Sequence, residues 1–214
     1  MLFSKALGSP FQTIQPINVW NMTEADFQIR KATLADIPQL QQLIELSVRQ
    51  LQTPDYSQAQ IDGALGTIFG VDTQLILDGT YFVASTPESQ FAGCGGWSKR
   101  RTLFGSDHAA VRQAELLDPS TEAAKIRAFF VHPLWARKGV GTAILSVCEN
   151  AAIQAGFLSF ELGATLTGQK LYSMRGYTAE ARILQPLSNG AKLPIVRMVK
   201  RIPRKEIRDG GAIT

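Results

Sequence analysis

The 214-residue chain is poor in the residues that build metal and disulfide chemistry. It has two cysteines, Cys94 and Cys148, and two histidines, His108 and His132. None of these stands at metal-ligand spacing, which leaves a zinc site without raw material and excludes a disulfide framework. Both cysteines are expected to be reduced core residues of a cytoplasmic protein. No apolar run approaches the length of about 20 residues that crosses a bilayer. The first residues, with one lysine and an early Pro10, do not read as a signal peptide. Aromatics make up 8% and are not interleaved with basic residues, which argues against a nucleic-acid surface. No internal repeat is visible.

What is present suits a globular chain with a sizeable core: 45% apolar and 19% charged residues. The net charge of +4 is concentrated in Lys99-Arg100-Arg101, in Arg137-Lys138 and in the tail from Lys200 to Arg208. A few placed cations fit a polyanionic small ligand, and scattered solvated charge explains them equally well. Residues 1–25, broken by Pro10, Pro16, Asn18 and Asn21, read as an irregular extension, and residues 203–214 as a basic tail. Residues 26–202 between them make one domain.

Within that domain, Phe27–Arg30 alternates as a strand. Thr33, Asp36 and Pro38 open a helix whose buried stripe is Ile37, Leu40, Leu43, Ile44, Val48 and Leu51. A second helix is expected over Ser57–Phe69. Tyr81–Ser85 and Phe91–Ser98 read as a hairpin, and Gly93-Cys94-Gly95-Gly96 inside it marks a bulge or a close backbone approach. Residues 99–124 form a long connection. Then come strand Ile126–Val131, helix Val140–Ala155, a stop at Gly156, strand Phe157–Leu162 and a short helix near Gly168–Met174. Two last strands, Tyr177–Leu187 and Leu193–Arg201, flank the turn signal Asn189-Gly190. This order predicts a mixed α/β sheet with one strand–helix–strand crossover.

The most informative stretch is Val131-His132-Pro133-Leu134-Trp135-Ala136-Arg137-Lys138-Gly139-Val140-Gly141-Thr142: a strand, a basic glycine-punctuated turn and a helix start. The first helical turn exposes unpaired N–H groups at the positive end of the macrodipole, and glycines let an anion approach them. The plainer alternative is a tight turn in which glycine serves close packing.

Three segments in this order resemble the GNAT superfamily of acyl-CoA-dependent N-acyltransferases. They are the strand end Phe129-Phe130-Val131-His132-Pro133, the turn Arg137-Lys138-Gly139-Val140-Gly141-Thr142, similar to the family's Q/R-x-x-G-x-G/A loop, and Leu171-Tyr172-Ser173-Met174-Arg175-Gly176-Tyr177, similar to its Tyr-x-x-x-Gly-Phe/Tyr segment. The chain departs from the pattern at Ala136, where the loop usually opens with Gln or Arg, and at Thr165, where an Asn often stands.

The resemblance implies an α/β (α+β) fold: a mixed, mostly antiparallel central sheet of six to seven strands with a splayed central pair, flanked by helices. It implies acetyl-CoA as cosubstrate, no metal, and acetyl transfer to a primary amine of a small molecule or peptide. Its diphosphate would lie on the amides of Lys138, Gly139, Val140, Gly141 and Thr142, with Arg137 at the rim and Thr165 nearby. Its pantetheine would pair with Phe129, Phe130 and Val131, and an N–H near Phe130 or Val131 would polarise the thioester carbonyl. Tyr172 is the candidate general acid. The base is unresolved, with Glu161 ahead of Glu122, Asp107 and His108, and a water chain as the alternative. Trp97 and Phe104 are candidates for the acceptor pocket. Members of the family are often dimers, so the expectation extends to a homodimer. The second functional reading is a non-catalytic acyl-CoA sensor; the third uses the basic tail to hold an anionic partner.

Overall fold

The structure is a computed structural model that describes residues 27–109 and 113–202. The expected N-terminal extension and basic tail lie outside the described residues. Seven strands form one sheet: β1 (Gln28–Lys31), β2 (Tyr81–Ser85), β3 (Phe91–Ser98), β4 (Ala124–Val131), β5 (Ser159–Ala164), β6 (Thr178–Pro186) and β7 (Lys192–Arg201), in the order β1-β2-β3-β4-β5-β7-β6. Every neighbouring pair is antiparallel except β4–β5. That parallel pair requires a crossover, supplied by α4 (Val140–Gln154).

Helices cover both faces. Alternation along β2 sends Tyr81 and Val83 to the face packed by α1 (Ile37–Leu51), α2 (Gln58–Ala64) and α3 (Thr73–Leu77). Phe82 and Ala84 go to the other face, under α4 and α5 (Gln169–Met174). Leu40, Leu43, Ile44 and Val48 of the expected α1 stripe are buried, with Ile37 partly buried against them.

Several boundaries differ from the sequence reading. The second helix starts on a Ser57–Gln60 capping box but stops at Ala64, and the chain turns at Gly66 before Phe69. Five-residue α3 is too short to show a helical period and was not anticipated. β5 begins at Ser159 rather than Phe157 and runs to Ala164. The 99–124 connection folds back on itself, with Arg101 donating to Glu115, Thr102 to Gln113 and Leu117 to Lys99.

Two features of the sheet create the site. β4 and β5 pair only at Ala124–Phe160 and Lys125–Glu161, so beyond Lys125 the two strands part. In addition, Phe130 lies opposite Cys94 while Arg127 lies opposite Gly96, so Ala128 and Phe129 together face the single residue Gly95. This bulge holds Ala128 at φ +54. The expected reason for the β3 glycines is borne out in detail: a Cβ on Gly95 would sit 2.7 Å from the Phe129 ring, and one on Gly93 2.7 Å from Val140.

Candidate active site

The gap between β4 and β5 opens a cleft of about 610 Å³ that runs through the sheet. One wall is the bulged run Arg127–Val131. The opposite wall is Gly163 and Thr165 with Gly168, Leu171 and Tyr172 of α5. The start of α4, Gly139 to Thr142, closes one end, and Gln52, Phe69, Phe104 and Ile195 line the other.

Among the described residues no strand lies against the β5-facing edge of β4 past Lys125. His132 donates to Ala92 of β3 at 2.9 Å. Strand N–H groups alternate between edges, so the Phe130 amide also faces β3, where it lies against the Cys94 thiol. The Val131 amide therefore faces the open edge. Within the bulge, the Tyr81 hydroxyl donates to the Ala128 carbonyl at 3.2 Å and lies 3.2 Å from the Cys94 sulfur. A trans peptide sets C=O and N–H in opposite directions, so this bond turns the Phe129 amide away from Tyr81. Of the two amides expected to polarise a carbonyl, Val131 is the one directed to the cleft edge; Phe130 is engaged on the β3 side.

At the end of the cleft, Pro133–Trp135 forms a short 3-10 turn capped by His132, whose Nδ1 accepts from the Leu134 amide at 3.2 Å. The chain then passes through Arg137 at φ +65 and Gly139 at φ +86 into α4. The N-cap, Gly139, supplies no side-chain cap to α4, and among the described residues the first-turn amides and the positive end of its dipole face the cleft. Gly141 lets α4 approach α5: a Cβ there would lie 3.2 Å from Leu171. Arg137 and Thr142 line the cleft as expected. Lys138 does not; its ammonium sits over the Trp135 ring, 5.6 Å from the centroid.

Tyr172 lines the cleft and is 8% exposed. Its ring meets Phe129 edge-on at 6.2 Å and Tyr177 at 5.8 Å. Among the described residues no group hydrogen-bonds its hydroxyl, and burial pushes the phenol well above the usual tyrosine range. It is thus a neutral donor at any ordinary pH. Thr165 lines the same wall and accepts from the Gly168 amide at 3.1 Å, fixing the entrance to α5.

The candidate base is not in the cleft. Glu161 is held by Lys125 and Arg197 beside a separate pocket of about 300 Å³. Burial alone would raise its pKa, but the bonds from Arg197 and Lys125 outweigh that and lower it, so the carboxylate holds a proton poorly. Glu122 pairs with Arg101, and Asp107 accepts from Thr73. Among the described residues no carboxylate and no imidazole lines the cleft. Trp97 packs edge-on against Phe157 in the core under α4, away from the cleft, whereas Phe104 lines the cleft. Both thiols are buried and free; burial pushes Cys94 up to about 12 and raises Cys148 strongly, so neither is a nucleophile at neutral pH.

The sequence reading missed the end of the cleft away from α4. Gln52, Phe69, Arg127 and Ile195 come from four separate segments, two of them turns, and carry no shared motif. Arg127 forms a buried ion pair with Asp72 at 2.7 Å and donates to the Gly105 carbonyl at 2.8 Å. No group of three His, Cys, Asp or Glu side chains among the described residues could hold a metal ion, and no described helix is long and apolar enough to cross a membrane.

Among the described residues, then, an open strand edge leads to an uncapped helix start. The model of the acetyltransferase (GNAT) domain matches residues 53–202, and the chain belongs to that family, as an acetyl-CoA-dependent N-acetyltransferase. Among solved structures it is similar to a GCN5-related N-acetyltransferase from Rhodopseudomonas palustris, at 21% identity and TM-score 0.62, with 85% of this chain and 99% of that one covered. It is also similar to the PaiA N-acetyltransferase from Thermoplasma acidophilum in complex with coenzyme A, at 14% identity and TM-score 0.56, covering 82% and 98%. A third likeness is the N-acetylglutamate synthase from Neisseria gonorrhoeae complexed with coenzyme A and N-acetylglutamate, at 18% identity and TM-score 0.54, covering 85% of this chain and 36% of that one. No curated protein sequence matches the chain.

Proposed function

We propose that the protein moves an acetyl group from acetyl-CoA directly to a primary amine held at the Gln52–Phe104 end of the cleft. The observation that carries this reading is the alignment of three features along one cleft: the open β4 edge, the uncapped start of α4 and the unpartnered Tyr172 hydroxyl. The β4 edge receives the pantetheine amides as a half-strand. The α4 amides and Arg137 hold the diphosphate. Two solved neighbours are described with coenzyme A bound, which supports the same use of this fold here.

In the reaction, the amine nitrogen bonds to the thioester carbonyl carbon while the Val131 amide, with that of Phe129, stabilises charge on the oxygen. The carbon–sulfur bond then breaks, and Tyr172 gives its proton to the leaving sulfur. The acceptor's surplus proton leaves to water, and the phenolate regains a proton from solvent. Among the described residues no carboxylate or imidazole lines the cleft to take it as a base. That absence also suits a sensor that binds acyl-CoA without turning it over.

Calorimetry with acetyl-CoA and amine-dependent thiol release separate these readings. The expected result is acetyl-CoA uptake, weakened by Gly139→Ala because the added Cβ strains φ +86 and shifts the first α4 amides. No uptake at millimolar acetyl-CoA would refute the reading. Uptake without thiol release for any primary amine would leave the sensor.

A further inference from the structure

The acceptor end of the cleft is unusually poor in charge. Ile68, Phe69, Phe104, Phe130 and Ile195 wall it, and Phe69 meets Phe130 edge-on at 6.2 Å. Phe104 closes down on β5 at Gly163, where a Cβ would lie 2.9 Å from the ring. The cation at this end, Arg127, is neutralised by Asp72 and tied to the Gly105 carbonyl, with its side chain 2% exposed. Its guanidinium is therefore committed within the protein.

Into this apolar end the structure places, among the described residues, a fully buried side-chain oxygen without a partner, that of Gln52. Gln52 is 6% exposed, and its side-chain oxygen is buried without a hydrogen bond. Trp97 and Tyr177 also have unpaired buried polar atoms, but neither lines the cleft. The Gln52 backbone is rigid. Its amide donates to Val48 at the end of α1, and its carbonyl accepts from Asp55 and Tyr56. A buried amide fixed this way and left unpaired incurs a desolvation penalty that a ligand group can recover.

Resting on the acetyltransferase reading, we propose that Gln52 is the residue that orients the acceptor, and that the acceptor is a monoamine with an apolar, ring-sized body and one neutral polar group. The amide of Gln52 bonds to that neutral group, and the aromatic walls take the body. Among the described residues a second ammonium on the acceptor would meet no carboxylate here, and a free carboxylate would meet no cation other than the already paired Arg127, so diamines and amino acids with a free carboxylate are disfavoured. Ser47, buried on α1 five residues before Gln52, also lines the cleft.

The test compares phenylalaninamide, phenylalanine and spermidine as acceptors at saturating acetyl-CoA, with acetyl-CoA binding measured separately by calorimetry. The expected kcat/KM for phenylalaninamide exceeds that for the other two by about tenfold or more. Gln52→Leu, close in volume and apolar, raises the KM for phenylalaninamide about tenfold while the KM for acetyl-CoA stays put, a split that general loss of structure would not give. Gln52→Glu shifts preference toward spermidine. Spermidine or phenylalanine matching phenylalaninamide in the wild type would overturn the inference, as would an unchanged acceptor KM in Gln52→Leu. If acetyl-CoA binds but none of the three is acetylated, this acceptor class is wrong while the cofactor reading stands. If acetyl-CoA does not bind, both fall.

Discussion

Replacing Tyr172 with phenylalanine isolates one atom of the proposed chemistry. The ring keeps its edge-on contacts with Phe129 and Tyr177, and the lost hydroxyl has no hydrogen-bond partner among the described residues. Removing it should therefore change folding stability by less than about 0.5 kcal/mol. Its effect on the reaction is of another size. A positioned general acid contributes about 10²–10⁴ in rate, which is roughly 2.7–5.5 kcal/mol of barrier. The thiolate must then leave without a proton from the protein. The diphosphate and pantetheine contacts lie on β4 and α4 and do not involve the phenol, so acetyl-CoA affinity should hold. The assay is steady-state thiol release with an active amine, alongside thermal unfolding and acetyl-CoA calorimetry on the same preparation. A kcat in Tyr172→Phe within twofold of the wild type, at unchanged Tm and affinity, would refute the role assigned to Tyr172. So would equal losses in kcat and stability, which would make it a packing residue.

Two further outcomes follow from the same geometry. With no carboxylate or imidazole lining the cleft among the described residues, kcat/KM should rise tenfold per pH unit up to the acceptor amine's own pKa, with no break near 4–7 from a protein base. Because burial raises the Tyr172 pKa, its proton-donating form persists as pH rises, and no alkaline loss should appear below pH 9; an acidic limb that stays fixed when the acceptor is changed would contradict this. Separately, Asp72→Asn leaves the Arg127 charge buried without its counter-ion, which should cost about 3–5 kcal/mol. Chemical denaturation would measure it, and a loss below about 1 kcal/mol would show the pair to be far better hydrated than its burial indicates.

Much of this molecule is written in local sequence. The stripe from Leu40 to Val48, the alternation of Tyr81–Ser85 and the turn at Asn189-Gly190 specify their elements because helical and strand periods depend on near neighbours. The glycine-punctuated start of α4 and the Tyr172 segment stand out for the same reason: each places several cleft-lining residues within a short run of chain. The glycines of β3 announced a close approach, though not that the Phe129 ring and Val140 would be the neighbours.

Tertiary structure alone decided the remainder. Glu161 and Lys125 stand across the one short stretch where β4 and β5 pair, so the carboxylate is consumed by Lys125 and Arg197 rather than presented to the cleft. Val131 rather than Phe130 faces the open edge because the bulge and the β3 register set which amides are engaged. The end of the cleft away from α4 gathers Gln52, Phe69, Phe104, Arg127 and Ile195 from distant parts of the chain. Hydrogen bonding within a helix or turn is local and leaves a periodic trace in sequence. Burial, charge pairing and the parting of two strands depend on which residues meet across the fold, and only the assembled sheet sets those meetings.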